Sequence, residues 1–552
     1  MPHRSLQQSS FFDAQFLDPG CLGEGTLAWL LARERSCLLP DWLFEGWRGE
    51  GTRGRNAWPA QNLMAMLLLR RNFAGPMSRR ESCRQAKHNL TWRAAMGLAI
   101  GGDTPSERTL RRFERFLGQR HEATGVPRYL LVHEHIVRVC RGEGAVDERA
   151  RWVIDSTPMW CYGAALDTIR LLGDGLRMLV RSYARWTKTP LTQVVEDYEL
   201  PVVVAKTTKG AFEIDWRNPD ARSGVVHELA CQVLRAVDFI RRELQRQPLQ
   251  GVHRKKLLQG CARVAKVIRD DLELDEQGRW VVARGTASKR LVSITDPQAG
   301  HGRKTRSQTY KGFKTHVLGD AVSGLITAVA VAPAHVHDQQ PAQRLIRRTK
   351  NLCAELEQVL ADTAYGGAEL RHVVYRGEGV RLLAPPPPAT MVGKLFGKDR
   401  FDIDFETGTA TCPNGETSHE RTFLWSSDHQ RRVPRYQWPA KGCDGCPLSS
   451  ECRGASREKR RLVLHPYEKE LREAKQQWQD PAIRKQYRER SRGERLINLM
   501  TQHGGRRAAS WGLLAANLQA HTIATASNLT LLARLRLARL RREAEPRPLA
   551  AA

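Results

Sequence analysis

Two short apolar runs, each delivering an aspartate, constrain this chain more than any other feature: RWVIDSTPMW around Asp155 and VLADTAYGG around Asp362. Apolar runs of this length closed by Ser, Thr, Pro or Gly suit buried strands ending at a carboxylate. An aspartate after a strand is by itself an ordinary turn or cap residue, so what lies between the two must decide. The segment YKGFKTHVLGDAVSGLITAVAVAP reads as two β-like runs joined at Asp320–Gly324, a hairpin. A helix is expected from about Asp338 to Gln358, with Ala342, Leu345, Ile346, Leu352, Cys353 and Leu356 on one face. A last strand, VRLLA at 380–384, is stopped by the prolines at 385–388.

The resulting order β, β, β, α, β, α predicts an α/β chain with an RNase H-like mixed sheet. In that layout two strand-end carboxylates are neighbours. With a third carboxylate on a facing helix they can hold two magnesium ions about 4 Å apart, activating a nucleophile and stabilising a leaving 3′ oxygen. The third is sought in QYRERSRGERLINLM, where Tyr487, Arg490, Glu494 and Asn498 recur at helical spacing and share a face. Glu494 then faces the site, and Arg490, one turn earlier, can meet a phosphate with its planar fork of donors. Asp338 is read as the cap of the following helix, and His335 and His337 as polar loop residues.

The charge balance points to a polyanionic partner. Lys plus Arg number 88 against 59 Asp plus Glu, an excess of +29, while the 41% apolar content is ordinary for a globular protein. In the helical stretch 1–125, Thr104 is read as a cap, Pro105 as the first helical residue and Glu107 as the capping-box partner. The same helix carries Arg108, Arg111, Arg112 and Arg115 opposite Leu110, Phe113 and Phe116, a basic face that suits DNA and equally a solvated face on a core helix. No window approaches the roughly 18 apolar residues of a membrane span and no export signal is read, so a cytoplasmic, nucleoid-associated protein is expected.

Eight of the twelve cysteines, among them Cys21, Cys83, Cys231 and Cys353, stand singly and are expected to be small buried apolar residues. The other four, Cys412, Cys443, Cys446 and Cys452, sit in TCPNG and KGCDGCPLSSECRG, and predict a structural zinc site of four thiolates. Reduced metal-free thiols and a redox pair are the alternatives.

The segments resemble those of the DDE transposases of bacterial insertion sequences, the group typified by insertion sequence 1182, over nearly the whole chain. WPAQNLMAMLLLRR, TWRAAMGLAI and SERTLRRF resemble the helical part that precedes the catalytic core, VIDSTP the first-Asp strand, YKGFKTHVLGD the hairpin and LADTAYGG the second-Asp strand. Tyr487, Arg490 and Glu494 fit the signature Tyr, two residues, Arg, three residues, Glu, six residues, Lys. Thr501 stands where its lysine is expected, so Arg506 or Arg507 is the candidate for that DNA contact.

The resemblance implies an enzyme that binds inverted terminal repeats, cuts double-stranded DNA at the element's ends and joins the 3′-hydroxyl to target DNA as a homodimer or larger oligomer. It implies catalysis by Asp155, Asp362 and Glu494 with two magnesium ions, replaceable by manganese. An inactive or repurposed transposase that only binds DNA, and a cellular nuclease of the same fold, are the alternatives. The expected organisation is a DNA-end-binding helical domain at 1–125 and a catalytic domain at 150–540. The latter is interrupted by a helical insertion at 160–285 and a cysteine-rich one at 389–465, and a basic frayed tail follows at 541–552.

Overall fold

The computed structural model describes residues 22–47, 57–72, 77–246, 251–285, 287, 289–305, 307–388, 395–418, 421–453 and 460–544. The expectations for Cys21 and for the last eight residues of the tail fall outside these.

The strand-like runs assemble into one six-stranded mixed sheet. Its members are β1 (Trp152–Trp160), β2 (Gly300–Arg303), β3 (Thr309–Asp320), β4 (Ile326–Pro333), β5 (Gln358–Leu360) and β6 (Arg381–Leu383). Their order is β2-β3-β1-β5-β6, with β4 also paired to β3. The β1, β2 and β4 strands pair antiparallel with β3, whereas β5 runs parallel to β1 and β6 parallel to β5. The β3–β4 turn is held by Asp320, whose carboxylate accepts the N–H groups of Arg151, Val322 and Ser323 at 2.7–3.1 Å.

One strand is longer than expected. β1 runs on to Trp160, so Asp155 is its fourth residue and not its end. Beyond Val153, its one partner on β5, that side of β1 is a free edge, where Pro158 with its missing N–H is tolerated. The edge closes again at Trp160, which exchanges backbone hydrogen bonds of 2.8 Å with Arg506 and Ala508.

Ahead of the sheet stand α1 (Leu27–Leu38), α2 (Ala60–Asn72), α3 (Arg79–His88), α4 (Leu90–Met96), α5 (Glu107–Leu117) and α6 (Arg128–Gly142). α5 is capped by Ser106, whose hydroxyl accepts the Thr109 N–H, so the cap lies two residues later than Thr104 and Pro105 precedes it. Its apolar face is buried and Arg108, Arg111, Arg112 and Arg115 are exposed. The hydrophobic core here is continuous from Leu30, Leu67 and Phe113 through Val132 into Ile154, Leu318 and Leu345 of the sheet layer.

The first insertion contributes α7 (Thr168–Thr187), α8 (Leu191–Asp197), α9 (Pro219–Arg246) and α10 (Val252–Asp271), with a core of its own. α11 (Gln339–Leu352) ends at Cys353, short of Gln358, which belongs to β5. α12 (Ala368–Glu378) then leads to β6. The cysteine-rich insertion is built of two small three-stranded sheets around Phe401, Ile403, Tyr436, Trp438 and Leu462.

The charged stretch 465–500 is several elements: α13 (Glu468–Gln477), α14 (Pro481–Tyr487), a 3-10 turn over Arg488–Gly493 and α15 (Glu494–Met500). Asp480 caps α14 and Pro481 opens it, which starts a new helix where one continuous helix was expected. The chain closes with α16 (Leu513–Ala544), which packs on α6, α2 and β4. Among the described residues no helix is long and apolar enough to cross a membrane.

Candidate active site

The β1–β5 register creates the site. Val153 pairs with Leu360 in parallel, so Asp155 and Asp362, each two residues further on, come side by side on one face. Val153 and Leu360 belong to the core that also takes Leu496 and Met500 of α15 and Ile523 of α16, so the aspartates emerge from the sheet face that these helices cover. Gly493 fixes the approach: a methyl group there would overlap the Val153 side chain, so only a bare backbone allows this contact with β1.

Asp362 opens a short 3-10 turn, Thr363–Tyr365, and its Oδ1 accepts the Ala364 N–H at 3.0 Å. The next residue, Gly366, lies against the Pro385 carbonyl too closely for a Cβ. Arg371 ties this loop to β6 by donating to the carbonyls of Gly366 (2.9 Å), Leu382 (3.0 Å) and Ala384 (2.6 Å). The AYGG part of the second aspartate run is thus a fitted loop.

Arg490 is the expected residue most clearly delivered to the site: its Nη2 donates to Asp155 Oδ2 at 3.0 Å. Burial pushes the Asp155 and Asp362 carboxyls above their usual range, the nearby guanidinium opposes it, and the carboxylate of Asp338 raises both. Tyr487 stands half-buried in the field of both aspartates and packs edge-on against Trp478. Glu494 is not gathered in. It is the exposed first residue of α15, whereas Arg490, Asp362 and Asp338 act on Asp155, and Arg490 and Asp338 on Asp362. The physical reason is the 3-10 turn just before it, whose three residues per turn break the common face that α-helical spacing gave Tyr487, Arg490 and Glu494.

Asp338 was read as a helix cap, yet it makes no side-chain capping bond. Its Oδ2 instead accepts the Ser156 hydroxyl at 3.2 Å, and its Oδ1 is paired with Lys314. Behind them the fully buried His316 meets Tyr365 Oη at 3.0 Å. The "HVHD" and "FKTH" segments held this information, but residue type alone did not separate it from loop polarity. An open cleft is lined by Asp155, Asp338 and Asp362 together with Arg303, Lys304 and Lys314.

The other expected DNA contacts lie elsewhere. Arg506 and Arg507 are exposed beside the end of β1, and Thr501 uses its hydroxyl on the Asn498 carbonyl at 3.3 Å. Cys412, Cys443, Cys446 and Cys452 line one cavity of the second insertion. Among the described residues, however, no group of three or more His, Cys, Asp or Glu has an arrangement that could hold a metal ion, so the expected zinc site is not supported and Asp155, Asp362 and Glu494 do not form a ready three-carboxylate cation site. Of the single cysteines, Cys140, Cys161, Cys261 and Cys353 are buried as expected, Cys83 and Cys231 are half-buried, and Cys37 is exposed.

Residues 38–115 match the family described as a transposase domain (DUF772), and residues 411–533 match a transposase DDE domain. The second match takes in Tyr487, Arg490, Glu494 and the four clustered cysteines, while Asp155 and Asp362 lie outside it. No curated protein and no solved structure matches the chain. The two matches are consistent with a DDE insertion-sequence transposase, and the group typified by insertion sequence 1182 fits the pair.

Proposed function

We propose that this protein is a DNA transposase of the RNase H-like kind. In this reading it binds the inverted repeats at the ends of its element, cuts the DNA there and transfers the 3′-hydroxyl ends to target DNA. The observation that carries it is the parallel register that sets Asp155 beside Asp362 under Arg490.

Two half-buried carboxylates with raised proton affinity are a donor pair that suits a hard divalent cation, since a positive charge relieves both burial and mutual repulsion. Asp155 and Asp362 would hold magnesium or manganese, and Glu494, exposed at the start of α15, would have to swing toward them to act as the third carboxylate. The ions supply charge stabilisation for the attacking and leaving oxygens. The chain's own residues do the rest. Arg490 offers its remaining donors to a phosphate while holding Asp155, and the capped Thr363–Tyr365 turn fixes the direction of Asp362. The exposed arginines of α5 give the protein a basic face for the duplex.

Thr501 in place of the expected lysine and the outlying Glu494 favour a second reading, a transposase that binds ends without cutting. Incubating the purified protein with a duplex carrying the inverted repeats that flank its coding sequence separates the two. Magnesium-dependent nicking at the repeat boundary supports the enzyme, and end binding without nicking supports the binding protein.

A further inference from the structure

Tyr310 and the basic residues of the cleft have no part in holding a cation, and their chemistry is specific. Tyr310 and Lys314 stand four residues apart on β3, so their side chains share a face of the strand. Tyr310 is 5% exposed, lines the cleft, and its hydroxyl has no hydrogen-bond partner among the described residues. Leaving a buried hydroxyl unpaired is unfavourable, and an incoming acceptor removes that penalty. Lys314 is paired with Asp338 and reaches the Val336 carbonyl at 3.5 Å, which leaves the third hydrogen of its ammonium for the cleft.

We propose that Tyr310 and Lys314 form a phosphate-binding subsite that seats the DNA backbone beside Asp155 and Asp362, with Asp338 as the residue that positions Lys314. The inference rests on the transposase reading and adds to it where the substrate strand lies. The polarity of the subsite selects an anion over a cation. A phenol hydroxyl and an ammonium both donate, and burial together with the Asp338 charge keeps Tyr310 protonated and a donor. A phosphodiester presents two acceptor oxygens and a negative charge, which suits both groups at once. Arg303 and Lys304 are exposed at the same rim, where the flanking phosphates of a bound strand would pass. Asp338 has a defined task here: 7% exposed and bonded to Ser156 of the Asp155 strand, it fixes the ammonium relative to the aspartates.

The test is binding interference without divalent cations, so that it does not depend on cutting. Duplexes carrying the flanking inverted repeats are made with a single uncharged methylphosphonate at each position around the repeat boundary, and affinity is measured for wild type, Lys314→Met, Tyr310→Phe and Lys314→Arg. One neutralised phosphate should weaken wild-type binding about tenfold, the worth of one charge-assisted hydrogen bond. Lys314→Met and Tyr310→Phe should bind unmodified DNA more weakly and become insensitive to that same phosphate, Lys314→Met should lower the salt slope by about 1, and Lys314→Arg should keep the wild-type pattern. Asp338→Asn should blunt the interference with Lys314 still present. Wild-type interference in Lys314→Met and Tyr310→Phe, with both folded by thermal melting, overturns the subsite. Cutting of the unmodified duplex in magnesium is scored separately: absent coupling with intact cutting refutes the subsite alone, and retained coupling without cutting upholds the subsite while refuting the enzyme.

Discussion

Arg490 donates to Asp155 Oδ2 at 3.0 Å, joining the turn before α15 to the strand at the centre of the sheet. The Arg490 guanidinium draws the Asp155 carboxyl back down, helped by the Ser156 N–H. Arg490→Ala should therefore shift the acid limb of the pH–rate profile for cutting to higher pH and lower the rate by about 10²-fold. Affinity for end DNA should fall far less. An unchanged pH profile would show that the pair has no part in the chemistry.

Gly493→Ala tests how the glutamate helix is seated. The added methyl group overlaps Val153, so the helix must move or the core strain, at a cost of about 1–3 kcal/mol. Cutting should fall with thermal stability, and Val153→Ala should restore much of both in the double variant. A single variant as stable and active as wild type would mean that α15 does not press on β1 there.

Acid should unfold this protein early. His133 and His316 are fully buried, and burial pushes both down to about 4; His521, against His133, is pushed well below its usual value for the same reason. A histidine whose folded value is depressed contributes stability in full above about 6.5, and loses it as pH falls toward 4, because the unfolded chain takes the proton first. Urea midpoints should drop by several tenths of a molar or more between pH 7.5 and 5, and His133→Gln should flatten the fall. A pH-independent midpoint over that range contradicts this.

The role proposed for the arginines of α5 is in binding and not in cutting. Replacing Arg108, Arg111, Arg112 and Arg115 with alanine should reduce the slope of log affinity against log salt by about 0.9 for each phosphate that they neutralise in the wild-type complex. Melting temperature should hold, because these side chains are exposed while Leu110, Phe113 and Phe116 carry the packing. Unchanged affinity and slope would leave that face merely solvated.

Much of the fold could be read from the chain because period and punctuation were unambiguous: the Asp320–Gly324 turn, the runs around Asp155 and Asp362, and the arginine face of α5 all stand where sequence placed them. Boundaries were harder. β1 overran Asp155 because nothing local announces a free sheet edge that tolerates Pro158, and α11 stopped before Gln358 because β5 claims that residue by long-range pairing. Glu494 stands exposed because α-helical spacing does not carry through the 3-10 turn before it. Asp338 was hidden because a carboxylate before a helix looks like a cap until Lys314 and Ser156 are seen to hold it.

Cutting of end DNA in magnesium by Asp155→Asn, Asp362→Asn, Glu494→Gln and Asp338→Asn decides whether a two-aspartate centre completed by Glu494 does the chemistry. The first three should each lose at least about 10³-fold in rate with end affinity within severalfold of wild type, and Asp338→Asn should lose less, since it acts through Lys314. If Glu494→Gln cuts normally while Asp338→Asn does not, the third carboxylate is Asp338. If Asp155→Asn and Asp362→Asn both cut at the wild-type rate, the centre is not where the β1–β5 register puts it.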